Sequence, residues 1–119
     1  MKLSEKQGIF LLNVAKLIIW VSEQGQYVTG GELLRTKEQQ QIYVDSGESK
    51  TLDGKHLEKL AIDLNLFING VYRRDTESYK PLGQYWVSLH PNNRWGGDWN
   101  KDGATDDEEF KDGNHFEMR

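Results

Sequence analysis

Cysteine is absent from the 119 residues of this chain. Disulfide staples, thiolate metal sites and a cysteine nucleophile are therefore excluded. Histidine is scarce, with only His56, His90 and His115, so any transition-metal site must combine these with carboxylates. A net positive charge is lacking too: 15 Lys and Arg stand against 19 Asp and Glu, for a formal charge of −4. That argues against a nucleic-acid partner, which needs a basic stripe to neutralise phosphates. No long apolar run occurs. The stretch from Ile9 to Leu12 and from Leu17 to Val21 is broken by Asn13 and Lys16, which is too interrupted for a membrane span. No small-residue cleavage site follows it, so no secretion signal is read and the chain is expected to be made and folded in the cytoplasm.

What is present fits one globular domain, residues 1–119, with a modest core. Apolar residues make up 36% and charged residues 29%, but the apolar ones cluster, unlike those of a disordered chain. Ser4 to Glu23 reads as a helix. Ser4 is the expected N-cap with Gln7 in the capping-box position, Ile9, Leu11, Leu12, Ala15, Ile18 and Ile19 form a broad apolar face, and Gly25 is the stop. Tyr27-Val28-Thr29 favours extended structure, and Gly30-Gly31 marks a bulge or a close backbone approach. Thr36 opens a helix to about Asp45, and Ser46 to Gly54 is a loop.

Leu60 to Phe67 reads as a strand with Leu60, Ile62, Leu64 and Leu66 on one face and Ala61, Asp63, Asn65 and Phe67 on the other. Asn69-Gly70 signals a tight turn into a short return strand at Val71-Tyr72. Ser78 to Leu89 is expected to be helical, with Tyr79, Leu82, Trp86 and Leu89 on one side, Pro81 near its start and Pro91 as its end. Asn92 to Gly113 is rich in Gly, Asp and Asn, and His115 to Met118 reads as a final short strand.

Three residues supply a candidate metal set. His56 and Asp63 lie seven positions apart, with Asp63 in a strand and His56 in the approach to it. That pair alone is weak, because strand aspartates are more often satisfied by backbone or Arg. A second element, Asp112-Gly113-Asn114-His115-Phe116-Glu117, places a carboxylate three residues before a histidine. Zinc catalysis needs three protein ligands, a fourth position left open for water, and a nearby base. His56, Asp63 and His115 would be the ligands and Asp112 the base.

These elements resemble the signatures of the M15 group of zinc peptidases, which includes D-alanyl-D-alanine carboxypeptidases and phage L-alanyl-D-glutamate endolysins. That group's first motif runs Ser-x-His-x-x-Gly-x-Ala-x-Asp. Here Gly54-Lys55-His56-Leu57-Glu58-Lys59-Leu60-Ala61-Ile62-Asp63 keeps the His, Ala and Asp, while Gly54 replaces the serine and Lys59 the glycine. The second motif is matched by Trp95-Gly96-Gly97-Asp98 followed by Asp112 to Glu117. Glu32 to Gln40 resembles the segment that supplies a substrate-binding arginine, here Arg35.

The resemblance implies an α+β fold, a small antiparallel sheet flanked by helices as in D,D-peptidases and the Hedgehog signalling domain, with zinc on the open sheet face. It implies metal-assisted hydrolysis of a peptidoglycan stem peptide, with L-Ala–D-Glu the expected bond. Asp112 would accept a proton, and Arg35 would hold an oxyanion or a substrate carboxylate. Glu117 is read either as a hydrogen-bond partner that supports His115 or as an exposed strand residue. His90, ahead of Pro91, is read as structural. The expected life history is that of a monomeric phage lysis protein held in the cytoplasm until a membrane-permeabilising partner releases it to the wall. A D,D-carboxypeptidase and a non-catalytic metal-binding wall-recognition module are the competing readings.

A second metal is expected inside the same half of the site. Asp98 to Glu109 read as a twelve-residue loop has Asp98, Asn100, Asp102 and Asp106 at positions one, three, five and nine. Gly103 stands at six, Ala104 offers its carbonyl at seven, and Glu109 is at twelve. This is the EF-hand calcium pattern, although Thr105 at eight departs from the usual apolar residue.

Overall fold

The structure, a computed structural model, describes residues 2–31, 60–98 and 113–119. The helix expected from Thr36 and the loop from Ser46 to Gly54 lie outside them. The described elements are α1 (Leu3–Glu23), β1 (Tyr27–Gly30), β2 (Ala61–Ile68), β3 (Val71–Tyr72), α2 (Thr76–Leu89), β4 (Asn93–Trp95) and β5 (His115–Met118). Every pairing is antiparallel. The sheet runs β1-β2-β5-β4, and β3 pairs with β2 beyond the end of β5. Both described helices pack on one face of it, so the architecture is α+β, as expected.

β2 forms because its residues alternate. Leu64 and Leu66 are buried in the core with Leu60 just before the strand, while Asp63, Asn65 and Phe67 point to the opposite face. Asn69 and Gly70 both adopt positive φ, 52° and 77°, and join Ile68 to Val71. Two such residues make the type I′ turn that matches strand twist.

α1 corrects the sequence reading in two places. Its N-cap is Lys2, without a side-chain cap, and Ser4 lies inside the first turn, so the Ser4–Gln7 capping box does not form. The buried stripe is Phe10, Asn13, Val14, Leu17 and Val21. Leu11, Leu12, Ile18 and Ile19, expected on the apolar face, are exposed. The helix carries apolar residues nearly all round, so its pattern alone does not select a face. The choice is made by its partner: Phe10 meets the edge of the Trp86 ring at 5.6 Å and 84°. The expected stop is correct. Gly25 at φ 76° donates to the Ser22 carbonyl, and Gln26 to that of Val21, in the crossed pattern that closes many helices. Leu17→Ala should therefore cost about 2–5 kcal/mol, whereas Ile19→Ala should cost no more than about 0.5 kcal/mol. Urea denaturation of the two variants reads the difference, and equal losses would mean the buried face is misassigned.

α2 starts two residues earlier than the sequence suggested. Asp75 accepts hydrogen bonds from the Ser78 N–H (3.0 Å) and hydroxyl (2.7 Å), and these hold its carboxyl below the ordinary value. Pro81 consequently sits in the second turn, where its nitrogen cannot donate back to Glu77. The helix ends at Leu89, and His90 is extended ahead of Pro91. Tyr79 fastens α2 to the sheet: its hydroxyl donates to Arg73 O (2.7 Å) and accepts from Leu66 N (2.9 Å).

β4 falls inside the stretch rich in Gly, Asp and Asn and is not anticipated from its composition. Its short sequence, Asn93-Arg94-Trp95, has strand character only through pairing with β5 and through the buried Trp95. A Cβ on either Gly83 or Gly97 would overlap the Trp95 indole, which gives the Trp-Gly-Gly-Asp segment a packing role. The indole N–H donates to Gly113 O at 2.6 Å and so ties β4 to the turn leading into β5.

Candidate metal centre

Strand register determines what meets on the face opposite the helices. Asp63 on β2 is the direct cross-strand neighbour of His115 on β5. Glu117 shares a face with His115, two residues along, and is paired directly with Arg94 on β4. These four side chains form a row across three strands. His115 Nδ1 lies 3.2 Å from Asp63 Oδ1, and Nε2 lies 2.8 Å from Glu117 Oε1. Arg94 Nη2 donates to Glu117 Oε2 at 2.5 Å. The inner pair is the drier: the side chains of His115 and Glu117 are 11% and 8% exposed, those of Asp63 and Arg94 18% and 28%.

The backbone holds the row in place. The Trp86 indole N–H is shared between Arg94 O and Glu117 O, 3.1 Å from each. Asn93 Nδ2 donates to Trp86 O at 2.9 Å. On the other side of β2, Gly31 N donates to Asp63 O at 2.7 Å, and a Cβ at Gly31 would come within 2.9 Å of the Asp63 Cβ. The Gly30-Gly31 signal is thus a close approach, and it packs the backbone directly behind Asp63.

The electrostatics assign a role to each nitrogen of His115. Burial raises the Glu117 carboxyl, but the hydrogen bonds and charges of His115 and Arg94 outweigh it and leave it below the ordinary range. An ionised Glu117 only accepts, so the Nε2 facing it carries a proton. The 3.2 Å contact between Nδ1 and Asp63 Oδ1 holds either a second proton, with His115 a cation between two carboxylates, or a divalent ion in that proton's place. Two donors on one tetrahedral zinc, each about 2.0–2.2 Å from it, lie roughly 3.3 Å apart. Spacing and chemistry both suit a metal ion held by Asp63 Oδ1 and His115 Nδ1, with Glu117 orienting the ring from behind.

Of the other residues singled out by sequence, His56, Arg35, Asp112, Asn100, Asp102, Ala104, Asp106 and Glu109 lie outside the described residues. Among the described residues no group of three His, Asp or Glu side chains converges to hold a metal. Asp98 is nearly buried, and its N–H donates to Trp95 O at 3.1 Å in a bridge between the two residues. His90 stands apart from the row, and its Nδ1 accepts the Asn92 N–H at 3.1 Å in the turn before β4. Arg94 and Trp86 were not anticipated as site residues. Arg94 is 23 residues from Glu117, and only the β4–β5 register brings the two together.

The family model described as phage L-alanyl-D-glutamate peptidase matches residues 4–119. The L-alanyl-D-glutamate peptidase of Listeria phage A118 is 35% identical over 94 residues, which is 71% of this chain and 30% of that protein. The chain thus spans under a third of the length of this curated relative. Among solved structures, the Serratia marcescens L-Ala D-Glu endopeptidase ChiX superposes with a TM-score of 0.61 at 26% identity, covering 78% of this chain and 67% of that one. The vancomycin-resistance D,D-pentapeptidase VanY, solved with Zn(II), superposes with a TM-score of 0.62 over 92% of this chain and 70% of its own. At 18% identity that likeness speaks to the fold. With the match running through both strands that carry Asp63 and His115, the chain belongs to the phage L-alanyl-D-glutamate peptidase family.

Proposed function

We propose that this chain is a zinc-dependent peptidoglycan peptidase of the endolysin type, hydrolysing the amide between L-Ala and D-Glu of the stem peptide. The observation that carries the reading is the part-buried Asp63–His115 pair at 3.2 Å with Glu117 on the far nitrogen. His56 would complete the ligand set. Zinc held there would supply Lewis acidity to the scissile carbonyl and to the attacking water. Asp112 would take a proton from that water at a carboxylate oxygen and deliver it to the leaving amine nitrogen. Arg35 would hold a substrate carboxylate or the developing oxyanion through its planar fork.

The choice of bond is supported by the activity in the names of the Listeria phage relative and of ChiX. Mass spectrometry of fragments from defined peptidoglycan tests it. New N-terminal D-Glu is expected. Release of D-Ala would make the chain a D,D-peptidase, the activity in VanY's name. No cleavage by zinc-loaded protein would make it a binding module.

Residues 1–119 would act as one monomeric domain. Among the described residues no helix is long and apolar enough to cross a membrane. A permeabilising partner would release the chain from the cytoplasm to the wall. Calcium would order the loop from Asp98 to Glu109, close to Asp112 and His115 in sequence. A calcium-selective chelator that spares zinc should then lower activity, and full activity in its presence would remove that coupling.

Glu117 offers a test of the ligand assignment itself. Glu117→Gln keeps the size of the side chain but weakens the acceptor for Nε2–H. Zinc affinity should fall about 10–100-fold, read by competition with a chromophoric chelator. Unchanged affinity would separate Glu117 from the metal.

A further inference from the structure

The row across β2, β5 and β4 contains two soft joints. The Glu117 carboxylate turns about its last torsion and the His115 ring about its own, and both torsions have broad minima. Strand register fixes which faces these residues share, not how the two planar groups are turned. Half a turn of the His115 ring would put carbons where Nδ1 and Nε2 now stand, so neither Asp63 nor Glu117 would meet a nitrogen.

A chain of contacts from the outer strand sets both joints. Arg94 Nη2 donates to Glu117 Oε2 at 2.5 Å. The other oxygen, Oε1, lies 2.8 Å from His115 Nε2, and Nδ1 of that ring lies 3.2 Å from Asp63 Oδ1. The head of this chain is itself held. Arg94 and Glu117 are direct cross-strand partners, and their carbonyls share the indole N–H of the fully buried Trp86. A guanidinium is planar and always charged, so its hold on a carboxylate is directional and permanent.

We infer that Arg94 is a positioning residue for the metal centre: by holding one oxygen of Glu117 it aims the other at His115, and so keeps Nδ1 turned toward Asp63. The role presupposes the metal-ligand reading of Asp63 and His115, and it adds a residue from a third strand that acts through Glu117. The side chain lies at the rim, 28% exposed against 8% for Glu117. Its replacement should leave β4 in place, since the buried Trp95 anchors that strand.

Zinc affinity of the full chain, read by competition with a chromophoric chelator, tests this without any substrate. Arg94→Met keeps the apolar stem and removes the donors, and affinity should fall about tenfold. Arg94→Lys restores a cationic donor and should recover most of that loss. Action through Glu117 also requires that the two changes not add: in a Glu117→Gln background, Arg94→Met should cost less than about a further twofold. NMR gives a readout that lost packing alone would not move. The His115 Nε2–H should exchange slowly with water in the zinc-loaded wild type and rapidly in Arg94→Met. The ring of His90, which is bonded to the Asn92 N–H away from the row, should not change. Arg94→Gln, polar and neutral, takes the place of Arg94→Met should that variant fail to fold. Unchanged affinity in Arg94→Met, a tenfold loss that persists beside Glu117→Gln, or rapid Nε2–H exchange in the wild type would overturn the positioning role. None of these measurements needs cleavage. An inert protein that passes them would sink the peptidase reading alone, and an active zinc enzyme that fails them would sink the role of Arg94 alone.

Discussion

Asp63→Asn should lower kcat/KM on a stem-peptide substrate by about three powers of ten or more, the equivalent of several kcal/mol of lost transition-state stabilisation. The substitution preserves the size of the side chain and its outer oxygen. It removes the negative charge that makes the group a good partner for a divalent ion. The fold should persist, because β2 is held by other means. Leu64 and Leu66 anchor it in the core. The Gly31 N–H donates to the Asp63 carbonyl, which any residue at this position offers. Zinc content by mass spectrometry should drop with activity while thermal unfolding of the metal-free proteins stays within a few degrees. A variant that keeps more than about a tenth of wild-type activity would be inconsistent with a ligand role of this size. Near-normal zinc content with lost activity would move Asp63 from metal binding to substrate binding.

The reach of the sequence in this chain follows the range over which each signal acts. β2 was legible because alternation is local: a strand with Leu64 and Leu66 inward and Asp63 outward shows its two faces within eight residues. Glu117 was within reach as a partner of His115 for the same reason, since residues two apart on a strand share a face. The stripe on α1 was not legible. Leu11, Leu12, Ile18 and Ile19 satisfy helical periodicity as well as Phe10, Val14, Leu17 and Val21 do, and the position of Trp86 on another element decides between them. The start of α2 lies two residues before the expected Ser78, because Asp75 caps the helix by accepting from Ser78, a partnership across three residues. β4 and Arg94 lay beyond local reading altogether. Three residues do not make a periodicity, and the contact of Arg94 with Glu117 depends on a register set by Trp95, Phe116 and the shared indole N–H of Trp86. The row of side chains at the site is thus half local pattern and half long-range register.

Asp112→Asn should act differently from Asp63→Asn, and the contrast is informative. A general base contributes about 10²–10⁴ in rate, so kcat should fall by that factor while zinc content stays near one equivalent and KM changes little. Asp112 precedes Gly113, whose carbonyl accepts the Trp95 indole N–H at 2.6 Å, and His115 follows two residues later on β5. The anchored turn at Gly113 and Asn114 leads into a candidate ligand and directly follows a candidate base in sequence, so a loss of that anchor is expected to disturb His115 first. Trp95→Phe, which removes the indole N–H, should lower activity and zinc affinity in parallel. Asp112→Asn should lower activity alone. Lysis of outer-membrane-stripped cells by Asp112→Asn at the wild-type rate would end the base assignment. A parallel loss of zinc in that variant would instead make Asp112 a ligand or a residue that positions His115.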